Sequence, residues 1–142
     1  MGRHNYTKDN WPSKFTITLE AGELASYTNK ILDNKNTFPE GNGDEIVSRL
    51  RNYTMQIYLD CYQANDWRVM SADDYRQRRE LQEHALDMCE LCLPLIQLAK
   101  HHFHLETKRM MYWGKKVIDL RDKIRNWLKS DKARYAEKFC VT

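Results

Sequence analysis

Glycine and proline are scarce in this chain, five and three among 142 residues. So few turn formers exclude collagen-like, linker-rich and multi-turn β architectures. No run of about 18 apolar residues occurs, so nothing reads as a membrane span. The opening stretch MGRHNYTKDNWPSKF is polar and lacks the apolar core of a secretory signal. Three of the four cysteines, Cys61, Cys89 and Cys92, sit inside helical, otherwise apolar patterns, where a free thiol acts as a small hydrophobe. These absences point to a reduced, cytoplasmic protein with no membrane association.

What is present is an ordinary balance of 42% apolar and 30% charged residues, enough for one domain with its own core. Residues 1–14 read as a polar lead-in. From Phe15 to Asn34 the positions Ile17, Leu24, Tyr27, Thr28, Ile31 and Leu32 recur at helical spacing. The stretch NKNTFPEGNGD, Asn34 to Asp44, carries turn chemistry, and Asp44 is placed to N-cap a second helix. That helix runs to about Trp67 on the stripe Ile46, Leu50, Tyr53, Ile57, Cys61 and Ala64. Ser71, with Asp74 three residues on, opens a third helix in the manner of a capping box. It continues to about His101, burying Leu81, Ala85, Met88, Cys89, Cys92, Leu95, Ile96 and Ala99, with a kink expected at Pro94. In the last helix Met110, Trp113, Val117, Leu120, Ile124 and Trp127 alternate spacings of three and four. The expectation is an all-α, up-down-up-down four-helix bundle over residues 15–130, followed by a basic and aromatic tail, 131–142.

The usual catalytic and metal-binding patterns are missing. Cys89-Glu-Leu-Cys92 is a CxxC, but it lies mid-helix on the apolar stripe instead of opening a helix after a strand. His101 stands nine residues beyond Cys92, about 13 Å along a helix axis, too far for both to reach one zinc ion. His101, His102 and His104 fit the partly negative end of a helix instead. No serine has a nucleophile-elbow context, and no glycine loop could cradle phosphate. Neither a catalytic role nor a cofactor is expected.

Charge carries more information. Residues 107–142 hold eleven Lys and Arg against four Asp and Glu, a balance of +7, whereas residues 1–106 hold twelve against sixteen, a balance of −4. A cationic segment of this kind suits a polyanion, because each phosphate contact releases condensed counterions. It equally suits a solvated helix face. Arg109, Lys116 and Lys123 recur every seven residues, placing them in one row beside the apolar seam, with Lys108, Lys115 and Lys129 flanking it. Arg121 and Arg125 lie on other sides of the helix. The tail adds Lys132, Arg134 and Lys138, interleaved with Tyr135 and Phe139, aromatics of a kind that can stack bases. Arg76, Arg78 and Arg79 form a second cluster in the first turns of helix three, where cations oppose the helix dipole. An acidic partner surface, RNA, or pairing with Glu80 and Glu83 would each account for them. The candidate nucleic-acid contacts are therefore Arg76, Arg78, Arg79, Lys108, Arg109, Lys115, Lys116, Lys123, Arg125 and Lys129.

Four segments carry a family resemblance. They are Tyr75-Arg76-Gln77-Arg78-Arg79-Glu80-Leu81, Leu91-Cys92-Leu93-Pro94-Leu95-Ile96-Gln97-Leu98-Ala99-Lys100, Lys108-Arg109-Met110-Met111-Tyr112-Trp113, and the run from Ile118 through Trp127-Leu128-Lys129. In this order, over about residues 15–130, the chain resembles the small bacterial four-helix-bundle proteins. These include the ribosomal-RNA intervening-sequence proteins and the accessory variability determinant, Avd, of diversity-generating retroelements. Arg125 and Asn126 stand where that pattern often has small residues. The resemblance implies a basic homopentameric barrel that binds a reverse transcriptase and its template RNA, or the cDNA and RNA–DNA hybrid made from it, and supports mutagenic cDNA synthesis. The competing expectation is an oligomeric protein-interaction scaffold without nucleic-acid contact, using exposed aromatics such as Tyr58, Tyr62 and Trp67.

Overall fold

The computed structural model describes residues 13–141, with side chains from residue 16 onward. The expected lead-in, residues 1–14, thus lies outside the described residues except for its last two positions, which are helical. Four helices follow one another: α1 (Ser13–Leu32), α2 (Asp44–Asp66), α3 (Ala72–Phe103) and α4 (Thr107–Asp131). A π-helical turn, Lys132–Ala136, succeeds α4, and there is no strand among the described residues. Each helix packs on its neighbours in the chain and α4 returns to α1, while the backbones of the diagonal pairs α1/α3 and α2/α4 come no closer than 8 Å between Cα atoms among the described residues. The result is a four-helix all-α bundle around a single core. None of these helices is long and apolar enough to cross a membrane.

The apolar periodicity places the core. In α4, Trp113, Val117, Leu120, Ile124 and Trp127 are buried, and Met110 packs on the rim. Ile46, Leu50, Ile57, Cys61 and Ala64 form the inner face of α2, with Thr54 sealed among them, its hydroxyl donating to the Leu50 carbonyl at 2.8 Å. The α1–α2 loop also reaches inside. Phe38, from the turn-rich segment, is almost fully buried, edge-on to Phe103 at 4.9 Å and to Trp113 at 6.4 Å.

Local signals set the helix ends with one shift of register. Gly43, not Asp44, is the N-cap of α2. The Asp44 carboxylate turns back to accept the Gly41 N–H at 3.0 Å, so it staples the loop instead of capping the helix. At α3 the reading holds: Ser71 Oγ accepts the Asp74 N–H at 3.1 Å. The Asp74 carboxylate in turn accepts the Met70 N–H at 2.9 Å and the Trp67 indole N–H at 3.3 Å. These bonds, the Met70 amide first, hold its pKa below the usual carboxylate range. The α3 helix continues without a break through the exposed Pro94.

Gly43 is fixed by close approach. A Cβ there would lie 2.2 Å from Phe103 Cζ and 2.8 Å from His102 Cδ2. Phe103 is held in place by Phe38, so little can yield. Gly43→Ala is expected to cost about 1–3 kcal/mol by overpacking. Urea unfolding measures this, and a variant as stable as the parent would refute the tight fit.

Candidate nucleic-acid interface

Because α4 buries one stripe, its cations are sorted by their angle around the helix. The predicted row does form along the seam with α1. Lys116 Nζ sits 5.2 Å from the Tyr27 ring centroid and 4.9 Å from that of Tyr112, and the two rings meet edge-on at 5.5 Å. Arg109 lies exposed near the same pair. Burial raises the pKa of the Tyr27 phenol, and the Arg109 charge pulls the other way. Further along the row, Lys123 is ion-paired with Glu20 of α1.

The remaining α4 cations are not one continuous stripe. Lys115 pairs with Asp119 at 2.7 Å on the outer face. Arg125 meets Glu90 of α3 at 2.6 Å and Asp122 at 3.9 Å, and Arg121 lies 3.8 Å from the same Glu90. Lys115, Arg121, Lys123 and Arg125 are thus matched by carboxylates. Among the described residues, Lys108, Arg109 and Lys116 in the first half of α4, Lys129 in its last turn and Lys132 just beyond it have no carboxylate within 4.0 Å. At 1.5 Å per residue the facing members of the two groups, Lys116 and Lys129, stand about 20 Å apart along the axis.

The α3 arginines separate in the same way. Arg76 is exposed and pairs with Asp73 at 2.9 Å. Arg79 lies 3.4 Å from Glu83, with its guanidinium 5.3 Å from the Tyr75 ring centroid. Arg79 and Lys129 come together at the corner where α3 begins and α4 ends, around an open hollow of about 410 Å³ completed by Tyr75, Glu83, Leu128 and Lys132. The π turn that follows carries Tyr135, whose ring lies 6.1 Å from that of Phe139 at an interplanar angle of 19°.

Arg78 is the correction. It is 2% exposed, with Nε 2.7 Å from Asp131 Oδ2 and Nη2 donating to Oδ1 at 3.1 Å. The Nε–H is not aligned with the carboxylate, so that contact is charge on charge and not a directed hydrogen bond. Gln82 Nε2 donates to the same carboxylate at 2.9 Å, and the guanidinium lies between Trp127 and Tyr135 at 5.4 and 6.0 Å from their ring centroids. A cation this enclosed and neutralised ties α3 to the end of α4 and does not meet a phosphate.

Two buried carboxylates escaped the sequence reading, Asp131 and Asp60. Asp60 of α2 is 4% exposed and takes a bond from Gln56 Nε2 at 2.8 Å, with His84 Nδ1 of α3 at 2.5 Å. Its only sequence signal is its place among Ile57, Cys61 and Ala64. The thiols of Cys61 and Cys92 are pushed up to about 12 by burial, and that of Cys89 is also raised, which suits core filling and not nucleophilic chemistry. His101 and His102 are exposed at the end of α3, and His104 closes that helix in the left-handed region at φ 55°. Among the described residues no three His, Cys, Asp or Glu side chains converge to hold a metal ion. Searches with protein-family models, against curated proteins and against solved structures find no match to the chain.

Proposed function

We propose that the protein is a non-catalytic nucleic-acid-binding accessory subunit: an up-down-up-down bundle that assembles into a homo-oligomeric barrel, pentameric by its resemblance to Avd. On this reading it belongs to the Avd and intervening-sequence superfamily. It binds a reverse transcriptase and its template RNA in a diversity-generating retroelement, with the polymerase carrying the chemistry. The observation that carries the nucleic-acid part is the distribution of unmatched charge. Lys108, Arg109 and Lys116 in the first half of α4, Lys129 in its last turn and Lys132 just after it lack carboxylates within 4.0 Å among the described residues. Each group lies beside aromatic rings.

The test is a binding titration against a labelled template-like RNA at several salt concentrations. Five cations, each neutralising one phosphate, give a log–log slope of about −3.5 on a single strand and about −4.5 on a duplex. Arg109→Glu with Lys116→Glu should flatten the single-strand slope by about 1.4 and weaken binding strongly. Lys115→Glu, whose parent charge is already matched by Asp119, serves as the control and should change little. Affinity that does not vary with salt sinks the reading.

A second reading rests on a separate observation. Met55, Leu59 and Tyr62 are exposed along α2, as are Leu91 and Leu98 on α3, each between 41% and 48%. On this reading the protein is an oligomeric protein-interaction scaffold that does not touch nucleic acid. Salt-independent retention of the oligomer, with no RNA bound, would favour it.

A further inference from the structure

Resting on the nucleic-acid reading, we infer that the Tyr112 ring at the start of α4, set among Arg109, Lys116 and Tyr27, is a base-stacking platform that makes the site selective for single strands over duplex. Tyr112 is 55% exposed, so much of its ring surface is open to solvent. An exposed tyrosine on a helix usually swings freely. Here the ring meets Tyr27 in a T-shaped contact at 5.5 Å and carries the Lys116 ammonium over it, 4.9 Å from its centroid, so a base would take the ring surface that these two leave exposed. A braced, open aromatic face loses little freedom when a flat ligand settles on it.

The neighbouring charges suit what such a ligand brings with it. Arg109 and Lys116 are spaced by two helical turns, about 10 Å, with Tyr112 between them. Neither has a carboxylate within 4.0 Å among the described residues. A nucleotide whose base lies on Tyr112 therefore places its flanking phosphates beside the exposed Arg109 and the half-buried Lys116. In a duplex the base faces are covered by their stacked neighbours, and only phosphates and groove edges remain to meet the protein. Duplex would engage the same cations without the ring. Stacking on a π face tolerates any base, so the discrimination concerns strandedness and not sequence.

The full chain is titrated by fluorescence anisotropy with a labelled 12-mer oligouridylate, and with a 12-base-pair RNA duplex at the same salt. Tyr112→Ala should weaken single-strand binding about tenfold while changing duplex binding less than twofold. Tyr112→Phe, which keeps the ring, should stay within twofold of the parent on both. If circular dichroism shows that the alanine variant has lost helix, Tyr112→Leu, which retains apolar contact with Tyr27 but has no ring face, replaces it with the same expected loss. An alanine or leucine effect below twofold on the single strand, or equal losses on both ligands, overturns the inference and leaves salt-dependent binding, and with it the function proposed above, standing. Failure of the parent to bind either ligand removes both.

Discussion

Asp131→Ala is expected to cost about 3–5 kcal/mol of folding stability, because it strands the buried Arg78 guanidinium without its counter-charge. The carboxylate is 2% exposed and also receives Gln82, so three groups lose their arrangement together. A buried ion pair is nonetheless weak evidence of net stabilisation, since desolvating both charges offsets much of their attraction. Arg78→Met, Gln82→Leu and Asp131→Leu in combination should therefore recover most of the loss. Equilibrium urea unfolding of the single and triple variants separates the two effects. A single variant within about 1 kcal/mol of the parent would mean that Arg78 finds water, and that the enclosure by Trp127 and Tyr135 is looser than described.

Trp113→Ala should cost a similar amount, about 3–5 kcal/mol. The indole is fully buried, meets Phe38 edge-on, and donates its N–H to Thr28 Oγ1 at 3.1 Å. Truncation removes the ring contacts and leaves the Thr28 hydroxyl without that donor in the interior. Trp113→Phe keeps most of the apolar contact and should lose less than half as much. If alanine and phenylalanine cost the same, the hydrogen bond and not the packing is what matters at this position. Both variants leave the exposed cations untouched, so their effect on binding should follow the folded fraction alone.

The helices and their inner faces are legible in the sequence because burial imposes a period that a single helix displays by itself. The apolar residues buried in α4, Trp113, Val117, Leu120, Ile124 and Trp127, fall on expected positions, as do Ser71 and Asp74 at the head of α3, whereas the buried Asp131 lies beyond the end of the expected stripe. The candidate interface is legible only in outline. Whether a surface lysine is available depends on which carboxylates other helices bring to it, and Glu20 lies 103 residues from Lys123, Glu90 35 from Arg125. No pattern within α4 reveals either partner. Arg78 carried a usable clue: it shares a helical face with Tyr75, Gln82 and Ala85, so a cation in an otherwise inward-facing set had to be paired. Phe38 had no such clue, because a turn-rich segment has no period to mark the one side chain that points inward.

The ring order of the helices has a kinetic consequence. The seam between α1 and α4, which carries Tyr27, Tyr112 and Lys116, joins the two helices farthest apart in the chain; its Trp113–Thr28 bond closes a separation of 85 residues, against 24 for the Asp60–His84 contact between α2 and α3. Loop-closure entropy makes the longer connection about 1 kcal/mol harder to form. Helices adjacent in the chain can therefore pack before this seam does, and the wall that presents the tyrosine and its two cations is expected to close late, which pulsed hydrogen exchange during refolding would test.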